Sequence, residues 1–260
     1  MGYEKIALEV SQGVARLTFR NPAKLNAWDG QMLDELKAAL DAVARNDEIR
    51  LLVLTGEGRA FSVGADLNWF TPDPLTHRFR IQARDAHDFF DALEDLEKPV
   101  LAAINGLCVG GGLELALSCD LRIASEEARF GFPEVNAGII PASGGCSRLA
   151  RLVGVGQAKE MVLTGELIPA ADAKQIGLIN AVVPAAELMT KTMDYAEKIL
   201  LRGPLAVGMA KQIINTALSV DAATGRALER LGQSILLQTA DAAEGFRAFR
   251  EKRRPKFTGK

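Results

Sequence analysis

Histidine is nearly absent from this sequence, which carries two in 260 residues, His77 and His87. A histidine-built metal centre or histidine-driven nucleophile is thereby disfavoured, and both residues read as surface or helix-face positions. Cysteine is as scarce. Cys108, Cys119 and Cys146 are odd in number and lack metal-ligand spacing, so they read as reduced thiols of an intracellular protein. No apolar run reaches the roughly 18 residues that cross a bilayer, and Glu4 and Lys5 interrupt the N-terminal stretch where a signal core would lie. Charge bias is missing too. A net charge of −2 and a pI of about 5.9 argue against nucleic acid or an anionic membrane as the main partner. The expectation is a cytoplasmic protein with neither partner. What remains is 48% apolar and 25% charged residues, ordinary soluble composition on a chain long enough for a large core.

Glycine is where the sequence concentrates. Asn105 to Glu114 contains Gly110-Gly111-Gly112, follows the apolar run Val100–Ile104 and precedes the apolar Leu115-Ala116-Leu117. Strand, glycine turn and helix aim free backbone N–H groups at one point, and glycines let a ligand approach the main chain. Glu114 then sits in the first helical turn. It has two readings: a carboxylate favoured by the helix dipole, or an acid or base beside an oxyanion hole.

The rest of the chain alternates strand and helix signals. Ile6–Val10 and Val14–Phe19 read as a hairpin around Gln12-Gly13. Asp29 is placed to cap a helix carrying Met32, Leu36, Leu40 and Val43 at helical spacing. Leu51–Leu54 reads as a strand buried on both faces. Phe61–Leu67 is a turn around Gly64, and 71–75 reads as a surface loop. A helix with Ala86, Phe89 or Phe90, Leu93 and Leu96 ends before Pro99, a short strand spans 120–124, and Ser143-Gly144-Gly145 opens a further helix. Glu134 alone reads as a loop carboxylate. From Ala185 onward only helical patterns follow, near 185–201, 204–218, 221–239 and 241–253. The expected architecture is a parallel-sheet core with a helical appendage. The basic end of the chain, from Arg247 to Lys260, reads as a solvated face, with a phosphate-bearing ligand as the sharper alternative.

Five motifs occur in one order across nearly the whole chain: Lys24-Leu25-Asn26-Ala27; Phe61 through Leu67; Asn105 through Glu114; Phe130-Gly131-Phe132-Pro133-Glu134 with Gly138-Ile139-Ile140-Pro141; and Glu244-Gly245-Phe246 with Glu251-Lys252-Arg253. Together they resemble the crotonase (enoyl-CoA hydratase/isomerase) superfamily. The resemblance implies an α/β fold, with a core of repeated ββα units over 1–184 and a helical region over 185–260 that assembles trimers, commonly paired into hexamers. It implies an acyl-CoA thioester as ligand, with coenzyme A part of the substrate and no separate cofactor or metal. The N–H groups of Ala65 and Gly111 would form an oxyanion hole. Lys24, Leu25, Asp66 and Leu67 would lie along the CoA, Pro133 would belong to the same substrate-binding set, and Glu114 and Glu134 match the catalytic acid positions of family hydratases.

General chemistry agrees with that implication. A thioester enolate puts charge on one oxygen, which two fixed N–H groups stabilise. Adding water to a conjugated double bond needs one group to activate the water and one to protonate Cα, and two carboxyls suffice. The first expectation is an enoyl-CoA hydratase. The alternatives are a Δ3,Δ2-enoyl-CoA isomerase, which needs one acid, or another acyl-CoA enolate reaction such as retro-aldol cleavage or hydrolysis. A CoA- or RNA-binding relative with little catalysis is opposed by the net charge and by the presence of both acids. Asn136-Ala137 and Cys146-Ser147 depart from the usual family residues. Trp69, Phe70 and Phe79 are core packing or lining of an acyl pocket.

Overall fold

The computed structural model describes residues 2–69 and 76–260, without the side chains of 76–79, 81 and 82. The 71–75 loop, Phe70 and the side chains of His77 and Phe79 lie outside the described residues. The chain divides into two units, Met1–Leu96 with Val100–Met193, and Glu97–Pro99 with Asp194–Lys260.

In the first unit β1 (Ile6–Ser11) and β2 (Val14–Phe19) pair antiparallel. Gln12 and Gly13 turn the chain with φ of 51° and 81°, the doubly left-handed turn that matches strand twist in a two-residue hairpin. Asp29 caps α1 (Gly30–Arg45) by accepting from the Met32 N–H at 3.1 Å, and Met32, Leu36, Leu40 and Val43 form its buried face. Next come β3 (Leu51–Gly56), β4 (Ala60–Ser62) and α2 (Thr76–Asp95). The following unit is β5 (Val100–Ile104), β6 (Leu107–Val109) and α3 (Gly111–Leu117). A third has β7 (Leu121–Ser125), β8 (Arg129–Gly131), a 3₁₀ turn over Pro133–Ala137 and α4 (Gly145–Val153). Then follow α5 (Val155–Thr164), β9 (Ile168–Pro169), α6 (Ala170–Gln175) and β10 (Ala181–Val183).

The strands form two sheets, ordered β1-β2-β3-β5-β7-β10 and β4-β6-β8-β9. Each of β3, β5 and β7 runs parallel in the first sheet and hands the chain to a three-residue strand of the second, which is the expected ββα repeat. Every residue of β5 is buried, as a parallel strand covered on both faces requires. The sequence reading needs correction at several elements: β4 overlaps the Phe61–Leu67 stretch read as a turn, and β8 lies where no strand was read. A strand, β6, stands between the Val100–Ile104 run and the glycine turn, and α5 was not anticipated. Buried Asn26 and half-buried Asn105 tie the hand-over points together. Both donate to the Ala60 carbonyl, at 2.8 and 3.1 Å, and Asn105 also accepts from the Gly56 N–H at 3.1 Å.

The second unit holds the end of α7 (Leu188–Leu200), then α8 (Pro204–Ala217), α9 (Ala222–Leu236) and α10 (Ala240–Arg250). Asp221 and Thr239 cap α9 and α10. The basic tail folds back onto α10. Glu244 accepts from Arg253 at 2.6 Å, from Arg247 at 2.7 Å and from the Lys256 N–H at 2.9 Å, while Asp241 accepts from the N–H groups of Thr258 and Gly259. Bonds from Arg253 hold the Glu244 carboxyl well below the usual carboxylate range. Arg247 and Arg253 are thus engaged within the unit and are not simply a solvated face. Leu231, Ile235 and Phe249 are exposed, and Leu228 and Leu236 are half-buried. Among the described residues no helix is long and apolar enough to cross a membrane.

Candidate active site

Two backbone segments converge where the glycines concentrate. Trp28 and Ala65 form a parallel bridge in which Trp28 donates to the Gly64 carbonyl at 2.9 Å and Asp66 donates to the Trp28 carbonyl at 2.8 Å. That pattern uses the carbonyl before Ala65 and the N–H after it, and turns the N–H of Ala65 itself away from Trp28. Gly111 opens α3, where an N–H has no intrahelical acceptor. The segments approach so closely that side chains would not fit. A Cβ on Gly64, whose φ is +91°, would lie 2.7 Å from the Gly111 nitrogen, and one on Gly111 would lie 3.6 Å from the Ala65 nitrogen. The two N–H groups are therefore neighbours.

Glu114 is buried, at 4% exposure, on α3. Its Oε1 accepts from the N–H groups of Ser143 at 2.6 Å and Gly145 at 2.8 Å. Burial nonetheless wins over these donors, and with the charge of Glu134 it pushes the Glu114 carboxyl up to about 7. Glu134 enters from the 3₁₀ turn. The Gly110 N–H donates to the Gly131 carbonyl at 3.0 Å, so β6–β8 pairing carries both glutamates to one place. Its Oε1 is 2.9 Å from where a Gly110 Cβ would stand, and its buried Oε2 has no hydrogen-bond partner among the described residues. Burial raises the Glu134 carboxyl as well.

Both glutamates, Ala65 and Gly111 line one cavity of about 610 Å³. Lys24, Asp66, Leu67 and Pro133 line it too, whereas Leu25 does not. Leu25 is half-buried in a left-handed conformation (φ 55°) beside it. Lys24 Nζ lies 2.5 Å from Asp66 Oδ2, which holds the Asp66 carboxyl down and the Lys24 amine up. Trp69 is a wall residue and also packs on the core.

Two wall residues were missed in the sequence. Trp28 is 6% exposed and stacks edge-on against Trp69 and Phe90, with ring centroids 5.8 and 6.2 Å away. Its signal was available, since it directly follows Lys24–Ala27. His87 is half-buried on α2, lines the cavity, and has a buried Nε2 without a partner among the described residues. Among those residues no group of three or more His, Cys, Asp or Glu side chains could hold a metal ion.

Two neighbouring N–H groups and two carboxyls of raised proton affinity, all on one largely apolar cavity, have the chemistry that acid–base catalysis on a small molecule developing a negative oxygen requires. The profile of the enoyl-CoA hydratase/isomerase family matches residues 9–260. Crotonyl-CoA hydratase of Syntrophomonas wolfei is 39% identical, covering 100% of this chain and 100% of that protein. Short-chain-enoyl-CoA hydratase of Clostridium acetobutylicum is 39% identical over 98% of this chain and 97% of that one. A crystal structure of enoyl-CoA hydratase from Bacillus anthracis matches with a TM-score of 0.94 at 37% identity, covering 99% of this chain and 100% of that one. The chain belongs to the enoyl-CoA hydratase/isomerase family.

Proposed function

We propose that the chain is a cytoplasmic enoyl-CoA hydratase that adds water to a 2-enoyl-CoA thioester. The observation that carries this reading is the meeting of Glu114 and Glu134, both raised in proton affinity, on the cavity that Ala65 and Gly111 also line. The thioester oxygen binds the N–H groups of Ala65 and Gly111. Glu114, ionised, takes a proton from water as the water oxygen bonds to Cβ. The electron pair of the double bond moves onto the thioester oxygen as an enolate. Protonated Glu134 then delivers its proton to Cα as the enolate collapses. One proton is taken and one given, so the pair keeps its single proton and titrates as a unit. Lys24, Leu25, Asp66, Leu67 and Pro133 are assigned to the CoA and substrate side of the cavity. Coenzyme A is part of the substrate, and the scheme needs no other cofactor or metal.

The test is incubation with a panel of 2-enoyl-CoA thioesters, beginning with the four-carbon one, following loss of the conjugated-thioester absorbance. Turnover of at least one member is expected, and none across the panel would defeat the reading. The exposed Leu231, Ile235 and Phe249 leave apolar surface on the helical unit that a homotrimer or hexamer would cover. Light scattering at micromolar concentration is expected to give three or six times the 27.9 kDa chain mass, and a monomer would sink the assembly.

A further inference from the structure

The two N–H groups on Glu114 come from a loop with a left-handed residue, Gly144, at φ +105°. Glycine adopts that conformation without strain but is also the residue least restricted to it, so the contacts around the loop fix its shape. Arg148, on the first turn of α4, reaches back across it. Its Nη1 donates to the Ser143 carbonyl at 3.1 Å, its Nε to Glu94 at 2.7 Å and its Nη2 to Asp91 at 2.6 Å. A Cβ on Gly144 would lie 2.1 Å from Nη1, so the guanidinium lies against that residue's Cα. Ser143 is thus held at its carbonyl by Arg148 while its N–H holds Glu114. The Arg148 side chain is 15% exposed, within a cleft of about 260 Å³ that shares His87, Ala142 and Ser143 with the substrate cavity.

We infer that Arg148 is a positioning residue for Glu114. It clamps the Ser143–Gly145 loop to α2, and so keeps two N–H groups aimed at the carboxylate. The inference rests on the proposed role of Glu114 as the group that must be ionised to take a proton from water. The groups facing Glu114 are Glu134 from the 3₁₀ turn, Cys146 and Arg148 from α4, and His87 across the cavity from α2. Asp91 and Glu94 face Arg148. Those two carboxylates offset the arginine charge, so its larger effect is geometric. Removing it loosens two donors that favour the ionised carboxylate, takes away a cation and bares two anions. All three changes raise the proton affinity of Glu114.

The test is direct titration of the Glu114 carboxyl by ¹³C NMR in glutamate-labelled protein, the signal assigned by its loss in Glu114→Gln. Arg148→Gln is expected to raise the midpoint by about one pH unit. Arg148→Lys should raise it by less, since an ammonium keeps the charge but cannot span Asp91, Glu94 and the Ser143 carbonyl together. It carries the test if the glutamine variant does not fold. In turnover, the acid limb of kcat should move up by the same amount, with KM within about twofold of wild type. A folded variant whose Glu114 midpoint equals that of wild type overturns the inference, whatever its thermal stability. The titration needs no substrate. Absent hydration by wild type would defeat the proposed function and leave Arg148 still tested, whereas normal hydration with an unmoved midpoint would defeat the Arg148 assignment alone.

Discussion

Glu114→Gln and Glu134→Gln are each expected to lower hydratase kcat by roughly 10²–10⁴, the range for a lost general acid or base. Glutamine keeps the shape and much of the hydrogen bonding, so Ser143 and Gly145 can still bond residue 114. What disappears is the proton acceptor or donor. The double variant should lose far less than the product of the two single losses, because either change already stops the transfer of one proton in and one out. KM should change little, since the CoA side of the cavity is untouched. The same variants separate hydration from isomerisation. An isomerase moves one proton between Cα and Cγ and needs only one of the two acids. If that were the reaction, Glu114→Gln would leave turnover of a 3-enoyl-CoA largely intact. Full hydratase activity in Glu134→Gln would show the site assigned wrongly.

Why these two carboxyls meet was only partly legible in the sequence. Each could be singled out by its motif, Glu114 after the glycines and Glu134 after Pro133. Their meeting depends on pairing between β6 and β8, and neither strand could be read. Three residues cannot display a period of two, so Leu107–Val109 and Arg129–Gly131 left no alternation to detect. By contrast the hairpin, the Asp29 cap and the buried Val100–Ile104 strand carry full signals and were read correctly. Helix α5 was hidden for another reason. Its buried Ala158, Met161 and Val162 share a helix with exposed Val155 and Leu163, and apolar residues on both faces blur the stripe. Backbone donors leave the least trace. The N–H groups of Ser143 and Gly145 belong to residues whose identity says nothing of where those groups point.

The close backbone approach of Gly64 to Gly111 gives the other large effect. Gly64→Ala is expected to lower kcat by roughly 10²–10³, the usual cost of one oxyanion-hole donor. The methyl would fall 2.7 Å from the Gly111 nitrogen, inside van der Waals contact, from a residue whose φ of +91° already disfavours a side chain. Something must shift. Either the start of α3 moves away from Ala65 or the Ala65 loop moves away from α3, and in both cases the two N–H groups no longer point at one oxygen. Strain at a left-handed alanine costs about 1–2 kcal/mol as well, so circular dichroism and a melting curve must confirm that the variant folds. Gly156→Ala is the matched control. It lies on α5, a Cβ there meets nothing within 4 Å, and the change should leave turnover normal and stability equal or up by about 0.4–1 kcal/mol. Because the enolate oxygen needs these donors more than the bound thioester does, the loss at residue 64 should fall on kcat more than on KM. A folded Gly64→Ala enzyme with wild-type turnover would mean that the reacting oxygen is held somewhere other than between Ala65 and Gly111.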